Sequence, residues 1–430
     1  MGRALKHRNY RLFFFGQGTS LIGTWLTRVA TAWLVYRLTN SAMLLGIVSF
    51  AGQIPTFLLA PFAGVLVDRW NRHRVLVATQ VLAMVQSGLL AFFALRGTIT
   101  VWHVLVLSAF QGLVNAFDTP ARQAFVVEMV DAREDLANAI ALNSSMVNAA
   151  RLLGPSIAGV LIAIVGEGWC FFIDAVSYLA VIASLVAMHL KPRAVSDRPR
   201  KHVLSELRDG LRYAATFAPI RAILLLLALV SLTGIPYTVL MPIFASDVFH
   251  GGAHTLGLLM AATGVGAVAG ALWLAARTTV LGLGRTLWIA GALFGASLIA
   301  FGLCKILWLA TLLLMLAGGG MMVQMAASNT LIQTMVDEDK RGRVMSFYAM
   351  AFFGMMPFGS LAAGWLGARI GAPATVAWGG AATLAAVALF VRKLPELRRQ
   401  ARPIYERLGI LPVIADALNR TAELTSPPEE

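Results

Sequence analysis

Apolar residues in this chain do not alternate with polar ones. They run on for about 20 residues at a time and are broken by short polar clusters. Twelve such runs lie near 12–36, 43–66, 75–95, 101–121, 138–165, 169–190, 222–245, 255–276, 286–303, 307–333, 344–367 and 373–391. A helix needs about 20 residues to cross a bilayer core, so each run predicts one membrane span. Continuous runs argue for helices rather than the alternating strands of a barrel. The pattern predicts an all-α integral membrane protein with twelve transmembrane helices.

Two polar segments stand outside these runs. Residues 191–221 begin Pro-rich and basic, as a linker does. They then place Leu204, Leu207 and Leu211 on one helical face, with Glu206, Arg208, Asp209 and Arg212 elsewhere. That predicts a short amphipathic helix lying on the membrane surface. Residues 393–430 read as a polar tail carrying Pro395, Pro403, Pro412, Pro427 and Pro428, with one short helix near 404–420. The chain then divides into a first half at 1–190, a linker at 191–221, a second half at 222–392 and a tail at 393–430.

The halves are copies of one plan. At an offset of about 206 residues Gly64 in GVLVDR falls on Gly270 in GALWLA, and EMVD at 128–131 falls on TMVD at 334–337. GPSIAG at 154–159 falls on GSLAAG at 359–364. Each half holds six spans, so both share one orientation and form parallel repeats about the membrane normal.

Composition agrees with this pattern. The chain is 58% hydrophobic and 13% charged, against about 25% charged in soluble domains. If both termini are cytoplasmic, 29 of the 35 Lys and Arg fall in cytoplasmic segments. Outer loops hold only Arg37, Arg96, Lys305 and Arg369, and Arg28 and Arg151 lie inside spans. This positive-inside bias fixes the orientation. It also accounts for the net charge of +14 without a nucleic-acid partner. The basic start reads as an uncleaved first span, and it lacks the Ser or Thr of a myristoylation site. Cys170 and Cys304 suggest packing rather than a disulfide framework or metal site. His250 and His254 have metal-pair spacing, but the glycines between them favour a solvated loop. No phosphate loop, nucleophile elbow or metal cluster is present, so neither an enzyme nor a cofactor is expected.

One loop carries dense charge. Gly64, Asp68, Arg69, Arg72 and Arg74 form the pattern Gly-x-x-x-Asp-Arg-x-x-Arg-x-Arg between spans 2 and 3. This resembles the signature loop of the major facilitator superfamily, and the resemblance extends over nearly the whole chain in span count, repeat and topology. It implies a latch: Asp68 would meet the positive N-terminal end of span 11 near Arg343, while the loop arginines pair with inner carboxylates, Asp118 above all. Gly64 would let the neighbouring helix approach. The alternative is charge that only sets topology. Asn71 stands where the family has Gly, and Asn tolerates a left-handed turn. The second-half copy has Leu274 and Ala275 in place of Asp68 and Arg69, so the latch is asymmetric.

The stretches NAFDTPARQAF at 115–125, LANAIALNSS at 136–145 and NAARLLGPSIAG at 148–159 resemble one branch of the superfamily, proton-driven exporters of drugs and siderophores that include an enterobactin exporter. The matching residues are Asp118, Pro120, Arg122, Asn138, Asn143, Arg151, Gly154, Pro155 and Gly159, with Trp25, Arg28 and AWLVYRLTNS in span 1. Gly154, Pro155 and Gly159 are similar to the antiporter motif of export families, where small residues let span 5 pack on the facing half. Plain helix packing is the alternative. Proton-driven relatives carry an Arg three residues before Gln-Gly in span 4; here Ser108 precedes Gln111-Gly112.

Charges inside a membrane are costly and mark function. Arg28, Arg151 and Asp174 could form one buried network, with Asp174 the first candidate for proton exchange and a structural Arg–Asp pair the alternative. The expected substrate cavity is apolar with sparse polar groups: Trp25, Gln111, Asn115, Asn143, Asn148, Gln324 and Asn329. Met315, Met321, Met322, Met325, Met355 and Met356 suit either an adaptable pocket or helix packing.

These residues point to a secondary transporter in a prokaryotic inner membrane. It would work as a monomer, exporting a small amphipathic drug or siderophore-like molecule in exchange for protons. A lysolipid or other lipid flippase of the same fold, or a non-transporting membrane sensor, are the alternatives.

Overall fold

The computed structural model describes residues 3–130, 132–189, 212, 215–277, 279–338 and 340–407. The amphipathic linker helix expected at Leu204–Leu211 and the tail beyond residue 407 lie outside the described residues. The regular structure of the described residues is helical throughout.

The first half contains six helices: α1 (Arg8–Thr39), α2 (Ala42–Arg69), α3 (Arg72–Leu95), α4 (Val101–Met129), α5 (Leu136–Val165) and α6 (Glu167–Val186). Polar residues in the turns define their starts. Ser41 accepts a hydrogen bond from the Leu44 amide, and Asn71 accepts one from the Arg74 amide. Thr100 and His103 form a reciprocal cap on α4. Asn71 has φ −69° and caps α3 in an extended conformation. The left-handed turn expected there is absent: an N-cap residue takes β-region angles, and Asn is among the best N-caps.

The second half contains α7 (Ala218–Thr233), α8 (Tyr237–Ile243) with a π turn over Phe244–Val248, α9 (Ala253–Ala275), α10 (Leu283–Leu303), α11 (Leu307–Met335), α12 (Arg341–Phe353), α13 (Met356–Ile370) and α14 (Ala372–Arg407). Two spans expected as single runs are therefore broken. Span 7 breaks over Gly234, Ile235 and Pro236, and span 11 at Gly354 and Met355. Proline and glycine release backbone groups there, and buried backbone must find new partners. The breaks lie side by side: Ser231 donates its hydroxyl to the carbonyl of Phe352, and a Cβ on Gly359 would stand 2.6 Å from Pro236 Cγ.

Among the described residues eleven helical segments are long and apolar enough to cross a membrane. The twelfth span, α1, is diluted by Gln17, Thr19, Ser20, Thr24 and Arg28. With 32 residues it is about 48 Å long, enough to cross. The last helix does not stop near 391. It continues to Arg407 through Pro395 and Pro403, with Leu394, Leu397 and Ala401 buried along one face. That apolar stripe outweighs the helix-breaking residues that had suggested a separate tail.

Within the first half α1 packs on α5 and α6, α2 on α4, and α3 on α4 and α6. Within the second half α9 packs on α11, α10 on α11 and α14, and α7 on α12 and α14. The halves meet along two seams, α2 against α13 and α5 against α9. An even number of spans puts Arg3 and Arg407 on one side, called here the terminal face; the opposite side is the far face.

Candidate functional site

The two seams are built alike. On the far-face side of α5, a Cβ added to Gly159 would lie 2.8 Å from Gly257 Cα on α9 and 2.9 Å from the Ala253 carbonyl oxygen. On the other seam, a Cβ on Gly364 would lie 2.8 Å from Gly46 Cα and 2.8 Å from the Ala42 carbonyl oxygen. Span 2 of the first half corresponds to span 8 of the second, and span 5 to span 11. The seams are therefore images of one another in the repeat. Only residues without a side chain allow backbones this close.

A polar contact joins the halves at the same level. Tyr36, near the end of α1, donates its hydroxyl to Asp247 Oδ2 in the π turn after α8. Nearby, Arg37 holds Glu167 through two bonds of 2.8 and 3.2 Å, tying α1 to the start of α6. Further in, Phe358 stands edge-on to Phe50 and Phe57, and a Cβ on Gly354 would meet Phe57 at 2.6 Å. Toward the terminal face no such approach is made at Gly64 of α2: a Cβ there would meet nothing within 4 Å. The conformation is closed on the far face.

The described contacts of the charged loop lie within its own half. Arg72 donates to Glu128 Oε1 and to the Ala124 carbonyl, both at 3.1 Å. His73 bonds the Leu185 carbonyl at 2.8 Å. Trp70 stacks on Phe117 at 6.3 Å. Arg69 and Arg74 are exposed, and the Asp68 side chain lies outside the described residues. Asp118 is not the loop's partner. It pairs with Arg122 one turn away and accepts from Thr79 at 2.9 Å and Gln80 at 2.7 Å on α3. Asn138 receives the Ala4 amide at 3.0 Å, which anchors the start of the chain on α5.

The expected network of Arg28, Arg151 and Asp174 divides in two. Asp174, 1% exposed, is sealed between α1, α3 and α6. Its Oδ2 accepts from Thr27 at 2.7 Å and Ser87 at 2.8 Å. Gly23 permits this: a Cβ there would stand 2.6 Å from Asp174 Oδ1. Thr27 and Arg28 are consecutive on a helix, so their side chains point about 100° apart. Arg28 turns away from Asp174, lies 4.7 Å over the Trp25 ring and is within electrostatic range of Arg151. Trp25 in turn fills the space that Gly154 leaves on α5. Gly154 and Gly159 thus serve different neighbours, α1 and α9. Tyr237, at the start of α8, is within range of Arg151 and reaches Thr263 at 3.5 Å.

The polar residues expected to line a cavity are dispersed. Gln111 and Asn115 bond each other at 3.2 Å on half-buried turns of α4. Asn143 is half-buried, and Asn148 donates to the Ser144 carbonyl at 2.9 Å. Asn329 accepts from Gln333. Gln324 is 1% exposed, and neither of its side-chain polar atoms has a partner; from α11 it packs against Gly291 on α10. Met322 is buried, and the other five methionines are half-buried. The sequence reading missed Tyr36, Asp247, Ser231 and the glycines at 46 and 257. Cys170 and Cys304 are buried free thiols. Among the described residues no group of His, Cys, Asp and Glu is arranged to hold a metal ion.

A family model described as transmembrane secretion effector matches residues 3–413. The chain is 26% identical over 356 residues to the staphyloferrin A transporter of Staphylococcus aureus, covering 82% of this chain and 87% of that one. It is 26% identical to the multidrug efflux pump Tap of Mycolicibacterium fortuitum, covering 91% and 98%. Among solved structures it resembles a bacterial homolog of the human lysosomal transporter Spinster, in an inward-facing, unoccupied conformation. The TM-score is 0.67 at 15% identity, covering 93% and 98%.

Proposed function

The chain belongs to the transmembrane secretion effector family of the major facilitator superfamily, and we propose that it exports a small amphipathic molecule of the drug or siderophore kind, in exchange for protons. The two image-related glycine seams carry this reading. Helices sealed side by side at one face and parted at the other are what a transporter alternating between two accessible states requires. The staphyloferrin A transporter and the efflux pump among its relatives support the cargo class, and the efflux pump supports the outward direction.

The terminal face is the cytoplasmic one on this reading, because the Lys and Arg of the polar segments concentrate there. The conformation described is then inward-open, ready to load cargo from the cytosol. The working unit is a monomer: each half supplies one member of every seam. Asp174 has no place in cargo binding, because its carboxylate is enclosed by α1, α3 and α6.

The test uses energised inside-out vesicles containing the protein, with internal pH followed as siderophores, macrolides and hydrophobic cations are added singly. Proton release on adding one compound, absent from vesicles without the protein, is the expected result. Accumulation of a compound with no proton release would retain the exporter and remove the exchange. A protein that flips lysolipid and moves none of the compounds would overturn the export reading.

A further inference from the structure

The membrane interior holds two cations with no counter-charge among the described residues. Arg151 sits halfway along α5, about 21 Å from either end. Arg28 sits about 16 Å from the far-face end of α1. Arg28 is exposed rather than packed into a helix interface, and it lies over Trp25, which itself packs on Gly154 of α5.

Neither guanidinium makes an ion pair or a hydrogen bond with any described residue. The groups acting electrostatically on them are Arg151 on Arg28 and Tyr237 on Arg151; no carboxylate is among them. The two described intramembrane acids of the first half lie elsewhere: Asp174, enclosed by α1, α3 and α6, takes Thr27 and Ser87 on Oδ2 alone, and Asp118 takes Arg122, Thr79 and Gln80. By contrast, Arg37, Arg72 and Arg122 each hold a carboxylate. Two like charges within electrostatic range of each other inside the membrane are destabilising unless a ligand supplies the missing negative charge.

We propose that the cargo is an organic anion whose carboxylate or phosphate oxygens bridge Arg28 on α1 and Arg151 on α5. This deepens the transport reading and rests on it. A guanidinium presents a planar fork that matches a carboxylate or phosphate in two bonds. Trp25 holds the Arg28 head over its ring, which fixes the direction of that fork. Tyr237 approaches Arg151 from the second half, so the anion sits where both halves can feel it. A bound anion also removes the repulsion between the arginines, which lets the parted helices draw together around it.

Binding is measured on the purified protein in detergent, independently of transport. Citrate, phthalate and phenyl phosphate serve as anionic probes, with benzyl alcohol and benzyltriethylammonium as neutral and cationic counterparts. The expected result is a rise in melting temperature with at least one anion and none with the counterparts. Arg28→Gln and Arg151→Gln, folded to the same baseline, should each weaken that anion's binding about tenfold or more, and Arg28→Lys should recover part of it. Binding of the cation in preference to all three anions, anion binding unchanged in both Gln variants, or no response to any anion would overturn the proposal. If the Gln variants do not fold, Arg28→Lys and Arg151→Lys, which keep charge and lose the fork, should weaken binding of the dicarboxylate phthalate more than of chloride; equal losses would also overturn it. A cation-preferring protein that still releases protons in vesicles would leave the export reading intact, so the two failures are separable.

Discussion

Gly159 on α5 and Gly257 on α9 approach so closely that a Cβ on either would lie 2.8 Å from the other's Cα. The relationship is repeated, atom for atom in kind, by Gly364 and Gly46 across the other seam. Even the neighbouring carbonyls correspond: a Cβ on Gly257 would meet the Pro155 oxygen at 2.7 Å, and one on Gly46 the Ser360 oxygen at 2.7 Å. The far-face closure is therefore two copies of a backbone-to-backbone contact that tolerates no side chain.

Gly159→Val and Gly257→Val should each prevent this closure. Backbone cannot retreat as a flexible side chain can, so the helices must part by the width of the added atoms. Spin labels introduced at positions 38 and 250, both exposed on the far face, should move apart in these variants. The native thiols are buried and do not compete for label. Unchanged label distances together with normal transport would mean the seam has slack that its geometry does not show.

Tyr36→Phe should bias the same equilibrium more gently. The lost bond is a hydroxyl donated to a carboxylate across the halves, worth about 1.5–3 kcal/mol in such settings. Loss of that much from one state shifts a two-state balance by about tenfold or more. The far-face label distance should become bimodal, and Asp247→Asn should add little to Tyr36→Phe. Additive effects of the two would show that they do not act through one bond.

Asp174→Asn should leave transport nearly intact, whereas Asp174→Ala should lower the melting temperature. The amide oxygen can still accept from Thr27 and Ser87, but alanine leaves both hydroxyls without their partner, at about 1–3 kcal/mol each. A well-folded Asn variant that moves cargo without proton release would make Asp174 the proton carrier.

Much of the fold was legible because span length and charge bias are set by the bilayer itself. The glycine seams were half legible. Gly159 and Gly364 are 205 residues apart, close to the repeat offset, and fell within an aligned motif. Gly46 and Gly257 are 211 apart, because the stretches leading into α2 and α9 differ in length, and no fixed offset finds them. The Arg28–Arg151–Asp174 grouping failed for a different reason. Depth in the membrane can be read from position along a span, but the facing of each side chain depends on which helix packs where. Thr27, not Arg28, points at Asp174. The breaks in spans 7 and 11 were marked by Gly234, Pro236 and Gly354, yet glycine and proline also occur in unbroken α5, so residue type alone did not decide.

The charged loop yields the most demanding prediction, because Gly64, the residue expected to let span 11 approach, meets nothing in the conformation described. Gly64 faces open space, and Arg72 is occupied by Glu128 and Ala124 within its own half. If the loop latches the terminal face, it does so only when the halves have rocked together there. Gly64 is then a clearance that matters in the other state. Gly64→Leu should fold normally, bind cargo from the terminal face and fail to complete transport, because the added side chain blocks the approach of span 11. Asp68→Asn should be inserted and equally inactive, through loss of attraction to the start of α12 rather than through bulk. The two variants should differ in salt response. Raising ionic strength screens the charge contact in the native protein and brings its rate toward that of Asp68→Asn, while Gly64→Leu stays inactive at any salt. Transport by Asp68→Asn at the native rate and with the native salt dependence would reduce the loop to a topology signal.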